Sequence, residues 1–251
     1  MKVLILAAGM GVRLMPLTRN TPKSLLDLGH GLTLLETQLE AIRECGVEEV
    51  VLVTGYRSEQ IEAKIAHDDG FRFRIVYNPF YASSNNLVSA WLAQPHVGED
   101  YLLVNGDDVF DPAVMRRLLE AEDDLTMMVS RKAAFDDDDM KVVTQGDRVL
   151  KVGKGLDEGE ANGESIGMMR FRARGARAFA DELERMVRTP EGLQTFYLHA
   201  LQNLMDAGFP VSFRECAPEE WAEVDFHPDL RTLKEQVFPE RILPLLGKRG
   251  S

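Results

Sequence analysis

The first 23 residues constrain the fold of this chain more than any other stretch. Residues 2–8 read Lys-Val-Leu-Ile-Leu-Ala-Ala, an apolar run the length of a buried strand. Gly9-Met10-Gly11-Val12-Arg13 follows at once, then Pro16, Thr18 and Thr21-Pro22-Lys23. A buried strand that breaks into a glycine turn opens an α/β sheet, and the rest of the chain agrees. Short runs rich in Val, Ile, Leu or aromatics predict strands over residues 2–7, 49–54, 72–77, 101–105 and 125–130, with helical patterns between them. Such alternation predicts a mixed, mostly parallel sheet covered by helices on both faces, a Rossmann-like three-layer α/β/α fold.

The glycine turn also carries chemistry. Glycines at 9 and 11 let backbone N–H groups approach phosphate oxygens with no Cβ in the way. Arg13 offers a planar fork of donors to the same oxygens, and Lys23 a mobile point charge. These are the parts of a grip on a nucleoside triphosphate. Two commoner glycine loops fit worse. The dinucleotide fingerprint needs a third glycine where Leu14 stands, and no G-x-x-x-x-G-K-[ST] run occurs. An ordinary surface turn would account for Gly-x-Gly alone, but not for Arg13, Pro16, Thr18, Pro22 and Lys23 as well.

Net charge is −12 and the sequence pI near 5.0, which argues against a nucleic-acid surface but not against one bound nucleotide. Apolar runs are too short to span a bilayer, and the apolar start is interrupted by the glycine turn before it reaches signal-peptide length. Cytoplasmic residence, without membrane insertion, is the expectation. Cys45 and Cys216 form no C-x-x-C pair and read as reduced thiols. Monomer and homodimer both remain open.

Helix signals are specific in places. Thr33-Leu34-Leu35-Glu36 is a capping box for a helix reaching Cys45, with Gly46 as its stop. Ser58 is expected to cap a helix through Ala66, and Asp111-Pro112 to start one running to Ala121. After residue 130 strands are expected over 141–145, 149–152, 165–171, 211–214 and 221–224, and helices over 173–186 and 195–207. No linker or repeat interrupts the chain. The expectation is one domain over 1–251, with 1–130 mainly nucleotide-binding and 131–240 mainly acceptor-binding.

Three further motifs stand out. Asn105-Gly106-Asp107-Asp108 follows the fourth strand, where the carboxyl ends of sheet strands meet ligands. Trp221-Ala222-Glu223-Val224-Asp225 precedes Asp229-Leu230; Glu223 and Asp225 share one strand face. Asn78-Pro79-Phe80-Tyr81 and Ser83-Ser84-Asn85-Asn86-Leu87-Val88-Ser89 offer donors and acceptors for a pyrimidine edge or ribose, although Ser and Asn are also ordinary turn formers.

With these motifs on the page, the chain resembles the nucleotidylyltransferases that act on sugar 1-phosphates and related phosphates. The resemblance runs from Lys2 to about Leu230. Its Asn-Asn-x-x-Ser, Asp139-Met140-Lys141 and Gly163-Glu164-Ser165 motifs are similar to the bacterial phosphocholine and phosphonate cytidylyltransferase branch. The resemblance implies CMP transfer from CTP onto a small phosphorylated or phosphonate amino-alcohol, releasing pyrophosphate. It implies Mg²⁺ held by Asp107 and Asp225, and catalysis by Arg13, Lys23, Asp107 and Asp225. Nucleotide contacts would come from Leu6, Ala7, Ala8, Gly9, Met10, Gly11, Arg13, Lys23, Ser84, Asn85, Asn86 and Gly106. Lys154, Glu164, Tyr197 and Trp221 would meet the acceptor, and Asp229 would be structural.

Alternatives stay open at this point. Lys154 reads equally as a solvated strand-end lysine, and aspartates 136–139 as a solvated run or as an attractor for a cationic head group. Tyr81, Phe110, Phe135, Tyr197 and Trp221 are candidate walls for an ammonium cage, with core packing the commoner fate of any one. His30, His67, His96, His199 and His227 are scattered and read as surface or loop residues. No general base is needed for an acceptor already ionised, so positioning and charge neutralisation would carry the reaction. The rivals are a sugar 1-phosphate uridylyl- or thymidylyltransferase and an inactive nucleotide-binding regulator on the same fold.

Overall fold

The computed structural model describes residues 1–29, 31–132 and 134–235. His30 therefore lies outside the described residues, as do residues 236–240 of the expected acceptor-binding part. Strands β1 (Lys2–Leu6), β2 (Glu49–Thr54), β3 (Arg72–Tyr77) and β4 (Asp100–Asn105) alternate with helices α1 (Leu34–Glu44), α2 (Ser58–Ile65) and α3 (Asn86–Val97). They pair in parallel in the order β3-β2-β1-β4. The chain continues through β5 (Asp108–Phe110), α4 (Pro112–Leu119), β6 (Leu125–Ser130), β7 (Lys141–Gln145), β8 (Arg148–Val152) and β9 (Gly163–Arg172). It ends in α5 (Ala173–Val187), α6 (Pro190–Leu193), α7 (Leu198–Asp206), β10 (Ser212–Cys216), β11 (Trp221–Glu223) and α8 (His227–Thr232).

One nine-stranded sheet unites both parts, in the order β3-β2-β1-β4-β9-β6-β10-β8-β7. β9 is the seam: it runs antiparallel to β4 on one side and to β6 on the other. Parallel pairing thus holds over β1–β4 and again at β6–β10, and the remainder is antiparallel. A separate two-stranded ribbon pairs β11 with β5.

The core follows from strand alternation. Val3 and Ile5 of β1 pack with α1 residues Leu35, Leu39 and Ile42 on one face of the sheet. Leu4 and Leu6 pack with Leu87 and Ala90 of α3 and Phe179 of α5 on the other. Two apolar layers of this kind give the three-layer architecture, and their burial is the main term holding it together. The expected capping box is present: Thr33 accepts from the Glu36 N–H, and Glu36 reaches back to the Thr33 N–H at 2.9 Å. Asp111 caps α4 through the Ala113 N–H at 2.7 Å.

Two local expectations change. Ser58 is the first helical residue of α2, because Arg57 takes the cap position in the left-handed region. The helix expected from Thr195 begins at Leu198, since Thr195 instead donates to the Glu191 carbonyl and closes a turn after α6. α3 fills the helical interval expected between β3 and β4; Asn85 caps it, and Pro95 lies inside it.

Gly106 lets β4 run close under β1. A Cβ there would lie 2.5 Å from the Leu6 carbonyl oxygen and 2.9 Å from the Ala7 Cα, both backbone. Gly106→Ala is expected to cost about 1–3 kcal/mol of stability. An unchanged melting temperature would remove this tight approach as a constraint.

Candidate active site

A cleft of about 320 Å³ opens at the carboxyl ends of β1 and β4. Leu6, Ala7, Ala8, Gly9, Arg13 and Lys23 line it from the first strand and its turn. Gly106 and Asp107 line it from β4, and Ser84, Asn85 and Asn86 from the start of α3. Lys154, Glu164, Trp221 and Asp225 close the opposite side. Met10 and Gly11 do not reach the wall. Gly11 instead takes a left-handed turn (φ 59°), and its carbonyl accepts from Thr18 Oγ1 at 2.8 Å, which braces the loop.

At the floor, Lys23 Nζ lies 2.7 Å from Asp107 Oδ2 and 2.6 Å from Asp225 Oδ1. Burial alone would depress this ammonium, but the two carboxylates outweigh it and raise it. Arg13 Nη1 lies 3.0 Å from Asp225 Oδ2, with its guanidinium over the Phe226 ring. The β5–β11 ribbon brings the two aspartates together: Glu223 pairs with Asp108, and the Val224 N–H donates to the Asp107 carbonyl at 3.1 Å. Asp229 accepts from the N–H groups of Asp225 and Phe226, so it serves the entry to α8, the structural role expected of it.

Two acidic residues add to the expected set. Oxygens of Asp107, Glu223 and Asp225 lie within 4.8 Å of one another. Burial, then repulsion from Asp107 and Asp225, pushes Glu223 up to about 8. Beneath them, the Asp108 carboxylate is buried with neither oxygen hydrogen-bonded, and burial with the charges of Asp107 and Glu223 raises it well above the ordinary range. Three clustered carboxyl groups, offering oxygen donors alone, fit a hard divalent cation such as Mg²⁺. Glu223 was legible as the residue sharing a strand face with Asp225; Asp108 carried no signal beyond its place beside Asp107.

On the acceptor side the structure corrects one assignment. Tyr197 is fully buried and stands edge-on to Phe179, with its hydroxyl donating to Asn105 Oδ1 at 3.2 Å. The neighbouring Phe196 lines the cleft instead, 5.4 Å from Lys154 Nζ. The helical phase at the start of α7 turns Tyr197 inward. Phe110 is likewise core, and Phe135 does not reach the cleft, whereas Tyr81 and Trp221 do. Asn86 and Asn85 are partly committed to structure. The Asn86 side-chain carbonyl accepts from the Tyr197 N–H at 3.0 Å, and that of Asn85 from the Asn86 N–H at 2.8 Å. No described histidine lines the cleft. The two cysteines are free thiols, one buried and one half-buried. Among the described residues no helix is long and apolar enough to cross a membrane.

Glu164 is buried against Lys132, whose Nζ lies 3.0 Å away. Burial still pushes its carboxyl from 4.5 up to about 7. A raised carboxyl favours the folded state while protonated. Its contribution is whole below about pH 4.5 and is lost as pH rises through about 7. Glu164→Gln cannot ionise, so its melting temperature should gain on the wild type between about pH 5 and pH 8. A difference that stays flat across this window overturns the assignment.

A family model described as the MobA-like NTP transferase domain matches residues 3–233. Over 103 residues the chain is 36% identical to the choline-phosphate cytidylyltransferase of Streptococcus pneumoniae, covering 41% of this chain and 43% of that protein. Over 237 residues it is 31% identical to the bifunctional IPC transferase and DIPP synthase of Rubrobacter xylanophilus, covering 93% of this chain and 51% of that protein. The chain thus spans about half or less of the length of these curated relatives. The solved CTP:phosphocholine cytidylyltransferase of Streptococcus pneumoniae superposes with a TM-score of 0.79 at 24% identity, covering 93% of this chain and 97% of that one, a likeness of fold. The family match spans the glycine turn, both aspartate motifs and the whole nine-stranded sheet, and the chain belongs to the MobA-like NTP transferase domain family.

Proposed function

We propose that this chain transfers CMP from CTP to a small phosphorylated or phosphonate amino-alcohol and releases pyrophosphate. The observation that carries the reading is the convergence of Arg13 and Lys23 with Asp107, Glu223 and Asp225 in one cleft at the end of β1 and β4. Cytidylyltransferase relatives support CTP as the donor.

An oxygen of the acceptor phosphate or phosphonate attacks the α-phosphorus of CTP. The bond from that phosphorus to its bridging oxygen breaks, and the electron pair leaves with pyrophosphate. The attacking oxygen is already ionised near neutral pH, so no base is required. The obstacle is the approach of two anions. Arg13 holds the β- and γ-phosphates, and Lys23 neutralises charge growing at the α-phosphoryl group. Asp107 and Asp225, with Glu223 behind them, would hold Mg²⁺, whose chemistry there is charge neutralisation at the phosphates. Lys154 meets the acceptor phosphate, and Phe196, Tyr81 and Trp221 offer ring surface to its organic end.

Cytosine presents an N4 amino donor where uracil presents an acceptor. A mismatched buried polar group costs about 1–3 kcal/mol, so CTP should exceed UTP by at least about tenfold in kcat/KM. The test is pyrophosphate release with each of the four ribonucleotides against phosphocholine, phosphoethanolamine, 2-aminoethylphosphonate and sugar 1-phosphates. A better rate with UTP or dTTP and a sugar 1-phosphate replaces this reading with a sugar nucleotidylyltransferase. Nucleotide binding without turnover on the full panel replaces it with a regulator.

A further inference from the structure

The aspartates at 136–138 are exposed, yet the turn they form with Asp139 is tied down by hydrogen bonds. Asp136 Oδ1 accepts from the backbone N–H groups of Asp138 (2.8 Å) and Asp139 (3.0 Å). Asp139 Oδ2 accepts from the Asp136 N–H at 2.6 Å, and its Oδ1 takes Lys132 Nζ at 2.6 Å. The buried Lys141 ammonium donates to the carbonyls of Asp136 (2.7 Å) and Lys154 (3.2 Å). The turn is therefore a single hydrogen-bonded unit pinned to β7 and to the segment after β8.

This arrangement points Asp138 into the cleft. Its Oδ1 lies 3.0 Å from Lys154 Nζ and 3.3 Å from Arg13 Nη2, and its Oδ2 lies 3.3 Å from Arg13 Nη1. The hydrogen bond from Lys154, aided by Arg13, holds its carboxyl below the ordinary range. One carboxylate thus ties a cation from the first glycine turn to a cation from the opposite wall. Each cation keeps a second support: Arg13 retains Asp225 and the Phe226 ring, and Lys154 retains the Phe196 ring.

We propose that Asp138 is a positioning residue that occupies the places of both substrates' phosphates and couples their binding. The proposal rests on the reading of the cleft as a site for a nucleoside triphosphate and an anionic acceptor, and deepens it. A triphosphate reaching Arg13 must displace Asp138 from the guanidinium. Because the same oxygen, Asp138 Oδ1, contacts both cations, that displacement also loosens Asp138 from Lys154. The acceptor's phosphate then meets an unoccupied ammonium. Linkage makes the effect reciprocal, so the acceptor tightens the nucleotide by the same factor. The pairs are partly exposed, which keeps the coupling to about threefold to tenfold.

Pyrophosphate and 2-aminoethylphosphonate do not react with each other and probe the two ends of the cleft. Calorimetric titration of pyrophosphate, with and without saturating phosphonate, reads the coupling directly; a CTP titration accompanies each. In the wild type the phosphonate should tighten pyrophosphate about threefold to tenfold. In Asp138→Asn pyrophosphate alone should bind a few-fold more tightly than in the wild type, and the effect of phosphonate should fall below about twofold. Asp138→Glu should restore coupling. Wild-type coupling retained in Asp138→Asn, no coupling in the wild type, or weaker pyrophosphate binding in the variant would each overturn the proposal. Failure of both proteins to bind CTP and pyrophosphate would overturn the reading of the site, and this inference with it. The side chain of Asp138 makes none of the turn's internal bonds, so the variant should fold, which its melting curve verifies.

Discussion

Replacing Asp107 or Asp225 with alanine is expected to lower turnover with CTP by on the order of 10²-fold or more, the scale lost with one preorganised electrostatic group. Both side chains are about a quarter exposed, and neither supports the core. The backbone bond from Val224 to the Asp107 carbonyl and the Asp229 cap survive either change. The β5–β11 ribbon therefore keeps its register, and the loss should fall on turnover rather than on the fold. Steady-state kinetics alongside a melting curve separates the two. Near-normal turnover in both variants would remove these aspartates from the chemistry.

Lys23→Ala should cut kcat by roughly 10²–10³-fold while changing CTP affinity less than about fivefold. At rest the ammonium already has two carboxylate partners, so binding CTP exchanges one set of ionic contacts for another. In the proposed mechanism its distinctive contribution arises when charge grows at the α-phosphoryl group. A second readout is independent of turnover. Without the lysine, Asp107 loses its ammonium partner and Asp225 keeps Arg13, so the variant should bind a divalent cation at least as tightly as the wild type. A variant that loses only CTP affinity, with kcat preserved, assigns Lys23 to holding the ground state.

Much of this architecture was legible because its signals were local. β2, β3, β6 and β7 match their expected bounds, since each is an apolar run between turn residues. The capping box at Thr33 and the Asp-Pro start of α4 are likewise written in adjacent positions. What escaped depends on partners far along the chain. Phe196 and Tyr197 are neighbours with equal claims on the cleft, and only the docking of α7 decides between them. Asp138 is one of four identical residues, and its role follows from where Arg13 and Lys154 happen to lie. Asn86, read as a base contact, also ties the start of α3 to Tyr197.

The short ribbon that joins β5 to β11 has a consequence for the order in which the molecule becomes competent. Lys23 and Asp225, whose charged atoms end 2.6 Å apart, are 202 positions apart in the chain. Closing so long a loop is entropically slow and is rewarded only by contacts made after closure. During synthesis, the segment carrying Glu223 and Asp225 emerges after the nine-stranded sheet has been made. A growing chain could thus hold its glycine turn, Arg13 and Lys23 in native positions while lacking two of its three clustered carboxylates. Competence would then arrive in one step with this segment, and chains made only up to Glu220 would lack Glu223 and Asp225 of the acidic cluster.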